Sequence, residues 1–339
     1  MHFGKLLWCG LIFLWMCSSG HAQHRGDDSI ATTEYFEFHS NYWINLHHFL
    51  YQKASGSQLR KLKEDGNQYL EIGEDKVQLT LSAADEKTLS EAISYYKDSI
   101  ISKSLLFDLG QERVWLQRRE AGVRISDTTF SKRYTEILNK VGPVYSKHFW
   151  PLHEKQNAAI LKLQLPSIKK FERTVITKME GFAMKKWPVT TKVRVDVSAY
   201  ANYAGAYTPT RPRFNIFISS LDPSSEKMDF VETILHEGSH LLFNYGGPFR
   251  EGIALIFDQK KLEIPYPKQL WHAALFYLCG RSVQDELQNN GYTEYRMIMD
   301  TRTIFSSYNT KVFRAGLEQY YQDKTNFNNT IAQLLDGLK

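Results

Sequence analysis

Residues 230–242 read Phe-Val-Glu-Thr-Ile-Leu-His-Glu-Gly-Ser-His-Leu-Leu. At about 100° per residue on a helix, His236 and His240 stand about 40° apart, one turn above the other, and Glu237 lies about 60° round from His240. Phe230, Val231, Ile234, Leu235, Leu241, Leu242 and Tyr245 fill a different arc. A helix of this pattern presses one side into a core and presents two imidazoles and a carboxylate on the other. Those groups suit zinc: two neutral imidazole nitrogens as ligands, and an adjacent carboxylate to take a proton from activated water.

Zinc used for hydrolysis takes three protein ligands and keeps one position open, so two histidines are not enough. Gly246-Gly247-Pro248 ends the first helix, because two glycines and a proline cannot continue it cheaply. Residues 249–261 then read as a second helix with Glu251 in its first turn. A fold-back at the turn brings Glu251 to the open side of the histidine pair as an oxygen ligand. The competing reading is a carboxylate that caps the helix and complements its dipole.

His236-Glu237-x-x-His240 followed by Glu251-Gly252-x-Ala254 resembles the gluzincin metallopeptidases, a match confined to about residues 200–260 that specifies no subfamily. The resemblance implies His236, His240 and Glu251 as ligands of one Zn2+ per chain, Glu237 as general base, and a peptide or protein substrate. It also implies a strand just before the zinc helix along which substrate lies extended. Residues 214–220 hold the matching place, and a plain interior strand is the alternative there.

The expected reaction is hydrolysis of a peptide bond. A second donor to the tetrahedral oxygen is expected, and Tyr207, His272, Arg281 and Tyr292 are its candidates. Two other functions stay open: a peptidase-like protein whose zinc is structural, and a surface-binding module in which the motif is incidental.

The N-terminus reads as a signal peptide over residues 1–22. Lys5 is followed by an apolar run from Leu6 to Met16, too short to span a bilayer, and Ser18-Ser19-Gly20-His21-Ala22 offers cleavage after Ala22. Lipidation at Cys17 is not expected, because Trp15 and Met16 are bulky. The mature chain is then exported, periplasmic or extracellular, with no transmembrane segment. Removing Lys5 takes the formal charge from +5 to +4, which points to neither nucleic acid nor an anionic membrane. Cys9 and Cys17 leave with the signal, so Cys279 has no internal disulfide partner; its apolar helical setting reads as structural burial.

The fold class expected is α+β, mainly α: a mostly helical N-terminal lobe over 23–187 and a zincin-like catalytic lobe over 188–339, divided at Trp187-Pro188. The first lobe begins with an aromatic-rich helix over 34–54, in which adjacent His47 and His48 read as core residues. Val77 to Leu81 alternates as a short strand, and Ser82-x-x-Asp85 starts a helix. Gly142-Pro143 reads as a break, His148 and His153 as poorly spaced for shared ligation, and Pro166 as a helix start. Residues 192–200 and 214–220 alternate as strands.

Overall fold

Both faces of a five-stranded sheet are covered by helices in the computed structural model, which describes residues 29–64, 81–126, 129–188, 190, 192–201, 205–222, 224–302 and 304–338. The chain opens with β1 (Ala31–Thr32), β2 (Phe36–His39) and α1 (Tyr42–Glu64). Helices α2 (Ala83–Ser99), α3 (Gly110–Gln117), α4 (Lys132–His148) and α5 (Trp150–Ala183) follow. Then come β3 (Val193–Ser198), β4 (Ala206–Tyr207), β5 (Asn215–Ser219), α6 (Asp229–Ser239), α7 (Pro248–Lys260) and α8 (Leu270–Asn289). The chain closes with α9 (Ile298–Thr301), α10 (Lys311–Gln322) and α11 (Phe327–Asp336). The expectation of a mainly helical α+β protein holds at this level. No helix among the described residues is long and apolar enough to cross a membrane.

The strand order is β1-β2-β3-β5-β4; β2, β3 and β5 run parallel, and the two outer strands antiparallel. Alternation sorts the side chains between two cores. Phe36, Phe38, Val193, Val195, Val197, Ile216 and Ile218 join one core with residues of α5 to α8, α10 and α11. Phe217 and Tyr207 join the other, with α1 to α4. That second side also carries buried polar groups. Arg194 pairs with Asp196 at 2.8 Å, while Gln117 and Asn215 donate to the same carboxylate at 2.7 and 2.8 Å. Burial raises the Asp196 pKa, but the charge and hydrogen bonds of Arg194 and the Asn215 bond outweigh it, and the carboxyl sits below its ordinary range.

Several sequence expectations need correction. Residues 36–39 form β2, not the start of a helix, because Phe36 to His39 pair in parallel with Val193 to Asp196. The sheet therefore draws strands from both sides of Trp187, and α5 packs in the core that holds α6. Pro143 sits inside α4 and Pro166 inside α5. Interior prolines are tolerated where tertiary packing outweighs the lost backbone bond; around Pro143, Tyr42 Oη donates to the Gly142 carbonyl at 2.7 Å. Pro151 is an ordinary first-turn proline of α5. Ser82 caps α2 as expected, accepting from the Asp85 N–H at 3.1 Å. The strand expected at 77–81 and the signal segment over 1–22 lie largely or wholly outside the described residues.

β5 is interior, flanked by β3 and β4. The edge strand at this end of the sheet is β4, which pairs antiparallel with β5. Helix α6 packs beside β4 and β5, and its Gly238 allows close approach: a Cβ there would meet the Phe36 ring at 2.8 Å. This packing fixes where the motif faces.

Candidate metal centre

Helix α6 runs from Asp229 to Ser239, with His240 as its C-terminal cap residue. His236 and His240 project one turn apart, as the spacing requires, with ring centroids 5.0 Å apart. The third partner comes from α8. His272 Nε2 stands 3.3 Å from His236 Nε2, and its ring lies 4.8 Å from that of His240. One ligating atom from each of His236, His240 and His272 lies within 4.8 Å of the others. Among the described residues this is the group of three metal-ligating side chains that converges.

Glu251 is not in it. Its side chain is exposed in the first turn of α7, and its carboxylate points to the turn at Gly246, where a Cβ would stand 3.9 Å from Oε1. The fold-back at Gly246-Gly247-Pro248 occurs, with Gly246 at φ +72° and Pro248 in the first turn. Glu251 does not join the histidine group: His272, not Glu251, stands beside His236 and His240, which differs from the set that the resemblance implies.

The three imidazoles fit a metal. Two ligands of a tetrahedral zinc stand roughly 3.3–3.4 Å apart when each bond is about 2.0–2.1 Å. The His236–His272 separation of 3.3 Å matches that edge. Burial lowers the pKa of all three histidines, and their mutual proximity and Arg250 lower it further, so they are neutral with lone pairs available. One proton bridges only two of the three nitrogens, whereas a cation engages all three. Phe276 packs against His236 at 4.3 Å, and Trp271 and Phe305 flank His272 at 5.0 Å each, giving the site an apolar wall.

Glu237 lies at the mouth. Its Oε2 is 3.9 Å from His240 Nε2 and accepts a 2.6 Å hydrogen bond from Thr208 Oγ1. Burial pushes its pKa up to about 7 against the downward pull of that bond. Thr208 directly follows edge strand β4, so the sheet positions the Glu237 carboxylate. No family model, characterised protein or solved structure matches the chain.

The remaining candidates fall into structural roles. Tyr207 Oη bonds His48 Nε2 at 2.8 Å, buried behind β4. Arg281 pairs with Asp285 and Glu318. Tyr292 is half-exposed and lines a surface cleft with Lys227, Met228 and Tyr295. His47 Nδ1 bonds Tyr96 and Tyr134 at 3.0 and 3.2 Å, and both adjacent histidines are fully buried core residues. His148 bonds Asp85 and His153 bonds Tyr145, each apart from the other. Cys279 is buried and free in α8. Sequence reasoning singled out His272 as an oxyanion donor and not as a ligand. One signal was available: His272 is the only histidine after His240.

One turn before His236, α6 carries a buried acid that the motif does not advertise. Glu232 accepts from Tyr295 Oη at 2.6 Å and from the Ile298 N–H at 3.1 Å. Gly280 makes room for it, since a Cβ there would stand 2.9 Å from Oε1. Burial pushes its carboxyl up to about 8 from an ordinary 4.5. The folded chain thus keeps a proton that the unfolded chain loses above pH 4.5. Stability from this residue is full below that pH and falls as pH rises toward 8. In chelator, the unfolding free energy should drop by about 2–4 kcal/mol between pH 5 and pH 8.5. The Glu232→Gln variant should show a flatter profile in denaturant melts; identical pH profiles refute the assignment.

Proposed function

We propose that the chain is an exported zinc-dependent hydrolase of peptide bonds, with a zincin-like arrangement of helix and sheet. The observation that carries this reading is the convergence of His236, His240 and His272 beside the partly exposed carboxylate of Glu237. Zinc would supply Lewis acidity here, acidifying water to a pKa of roughly 7 and polarising a carbonyl. His236, His240 and His272 would hold it. Glu237 then takes the proton from water and passes it to the leaving amine. Thr208 orients the carboxylate for both transfers. The apolar wall of Phe276, Trp271 and Phe305 keeps bulk water from weakening these interactions.

The sheet supports a peptide as substrate. Among the described residues β4 pairs with a strand on one side only, and Thr208 continues it toward Glu237. The other side would offer backbone groups to an extended segment by strand addition, whatever the side chains. With only two residues in β4, a short stretch of substrate is engaged. The export part of this proposal rests on residues 1–22 and their apolar run.

The test is metal content and turnover together. Chain purified without chelator should carry about one zinc and cleave a quenched fluorescent peptide library. Chelator should remove both properties, and added zinc should restore both. A chain that purifies and reconstitutes without metal sinks the proposal.

A further inference from the structure

Arg250, in the first turn of α7, occupies an unusual place beside the three histidines. Its guanidinium carbon is 3.5 Å from the Tyr245 ring centroid and 4.1 Å from that of Trp271. The Trp271 ring lies 5.6 Å from the His240 ring and 5.0 Å from the His272 ring. Arg250 is close enough for its charge to depress the pKa of both histidines, after burial and, for His240, the neighbouring His272. Yet among the described residues no carboxylate or carbonyl bonds its guanidinium, and the acid next to it in sequence, Glu251, points to the Gly246 turn.

Three physical points make this more than a surface arginine. The guanidinium sits over both rings, and among the described residues no acid or carbonyl takes its N–H groups. The N–H edge of a guanidinium is the part that pairs in a bidentate manner with a planar carboxylate. A fixed positive charge beside a site for a divalent cation also opposes metal binding. An anion brought by the ligand relieves that repulsion; a neutral ligand does not.

We propose that Arg250 is a carboxylate-binding subsite of the His236–His240–His272 centre, selecting peptides that carry a carboxylate close to the bond cleaved. The carboxylate is a free C-terminus or an acidic side chain. The inference rests on the hydrolase reading for what happens to the peptide, but not for its binding.

The test is calorimetric binding to the zinc-loaded Glu237→Gln chain, which leaves peptides intact. Three probes serve: acetyl-Ala-Ala-Ala, its C-terminal amide, and acetyl-Ala-Ala-Glu amide. A carboxylate-bearing probe should bind roughly 10- to 100-fold more tightly than the neutral amide. Preference for the free acid assigns the C-terminus, and preference for the glutamyl amide assigns an acidic side chain. Adding Arg250→Met should erase the preference between the probes. Arg250→Lys, which keeps the charge and loses the fork, should retain only part of it. Equal binding of the three probes, binding of none at millimolar concentration, or a preference that survives Arg250→Met overturns the proposal. Preference without turnover by the wild type removes the hydrolase reading and leaves the subsite; turnover without preference does the reverse.

Discussion

Alanine at position 272 should strip the protein of its metal, whereas alanine at 251 should leave metal content unchanged. Loss of a residue that merely supports a ligand weakens zinc binding by roughly 10- to 100-fold, and loss of one of three ligands should exceed that. His272 Nε2 sits 3.3 Å from His236 Nε2, while the Glu251 side chain is exposed at the Gly246 turn. Zinc per chain after dialysis, followed by a competition titration with a chromophoric chelator, reads both variants. The inverse result has a definite meaning. Zinc lost from Glu251→Ala and kept by His272→Ala would show that the first turn of α7 swings inward to give the gluzincin ligand set.

The Glu237→Gln variant should retain zinc and lose turnover by roughly 10²- to 10⁴-fold, the usual contribution of a positioned general base. Glutamine is close to isosteric and can still accept from Thr208, so the helix and the three histidines should be undisturbed. It cannot take a proton from water. The discriminating measurement pairs kcat/KM with metal content on the same preparation. If zinc is lost with activity, Glu237 closes the coordination shell at its 3.9 Å distance from His240, and the site is structural instead of hydrolytic.

These two experiments separate what local pattern reveals from what packing decides. The pairing of His236 with His240, and the flanking position of Glu237, follow from helical repeat alone. The start of α7 at Pro248 follows from backbone chemistry that only glycine and proline supply, but α6 does not run on to that turn: it ends at Ser239, earlier than the glycines imply. The strand β3 was legible because valine alternates there with polar residues, and β5 because Ile216, Phe217 and Ile218 form a short apolar run between Asn215 and Ser219. β2 was not, because Tyr35, Phe38, Tyr42, Leu46 and Phe49 also satisfy a helical spacing across its boundary with α1. Short β4 carries no periodicity at all, and its identity comes from pairing Ala206 and Tyr207 with Ile218 and Phe217.

Local periodicity was enough to place His236 and His240 one turn apart on a helix, with Glu237 beside them and a turn after, because those depend on interactions within a few residues. Which side chain stands third beside the histidine pair depends on which helix crosses α6, a long-range packing outcome that short spacing does not encode. α8 crosses it and brings His272, with Phe276 one turn on, against His236. The same packing puts Thr208 at the base and Arg250 beside the histidines, while Glu251, in an equally suggestive position along the chain, is left facing outward.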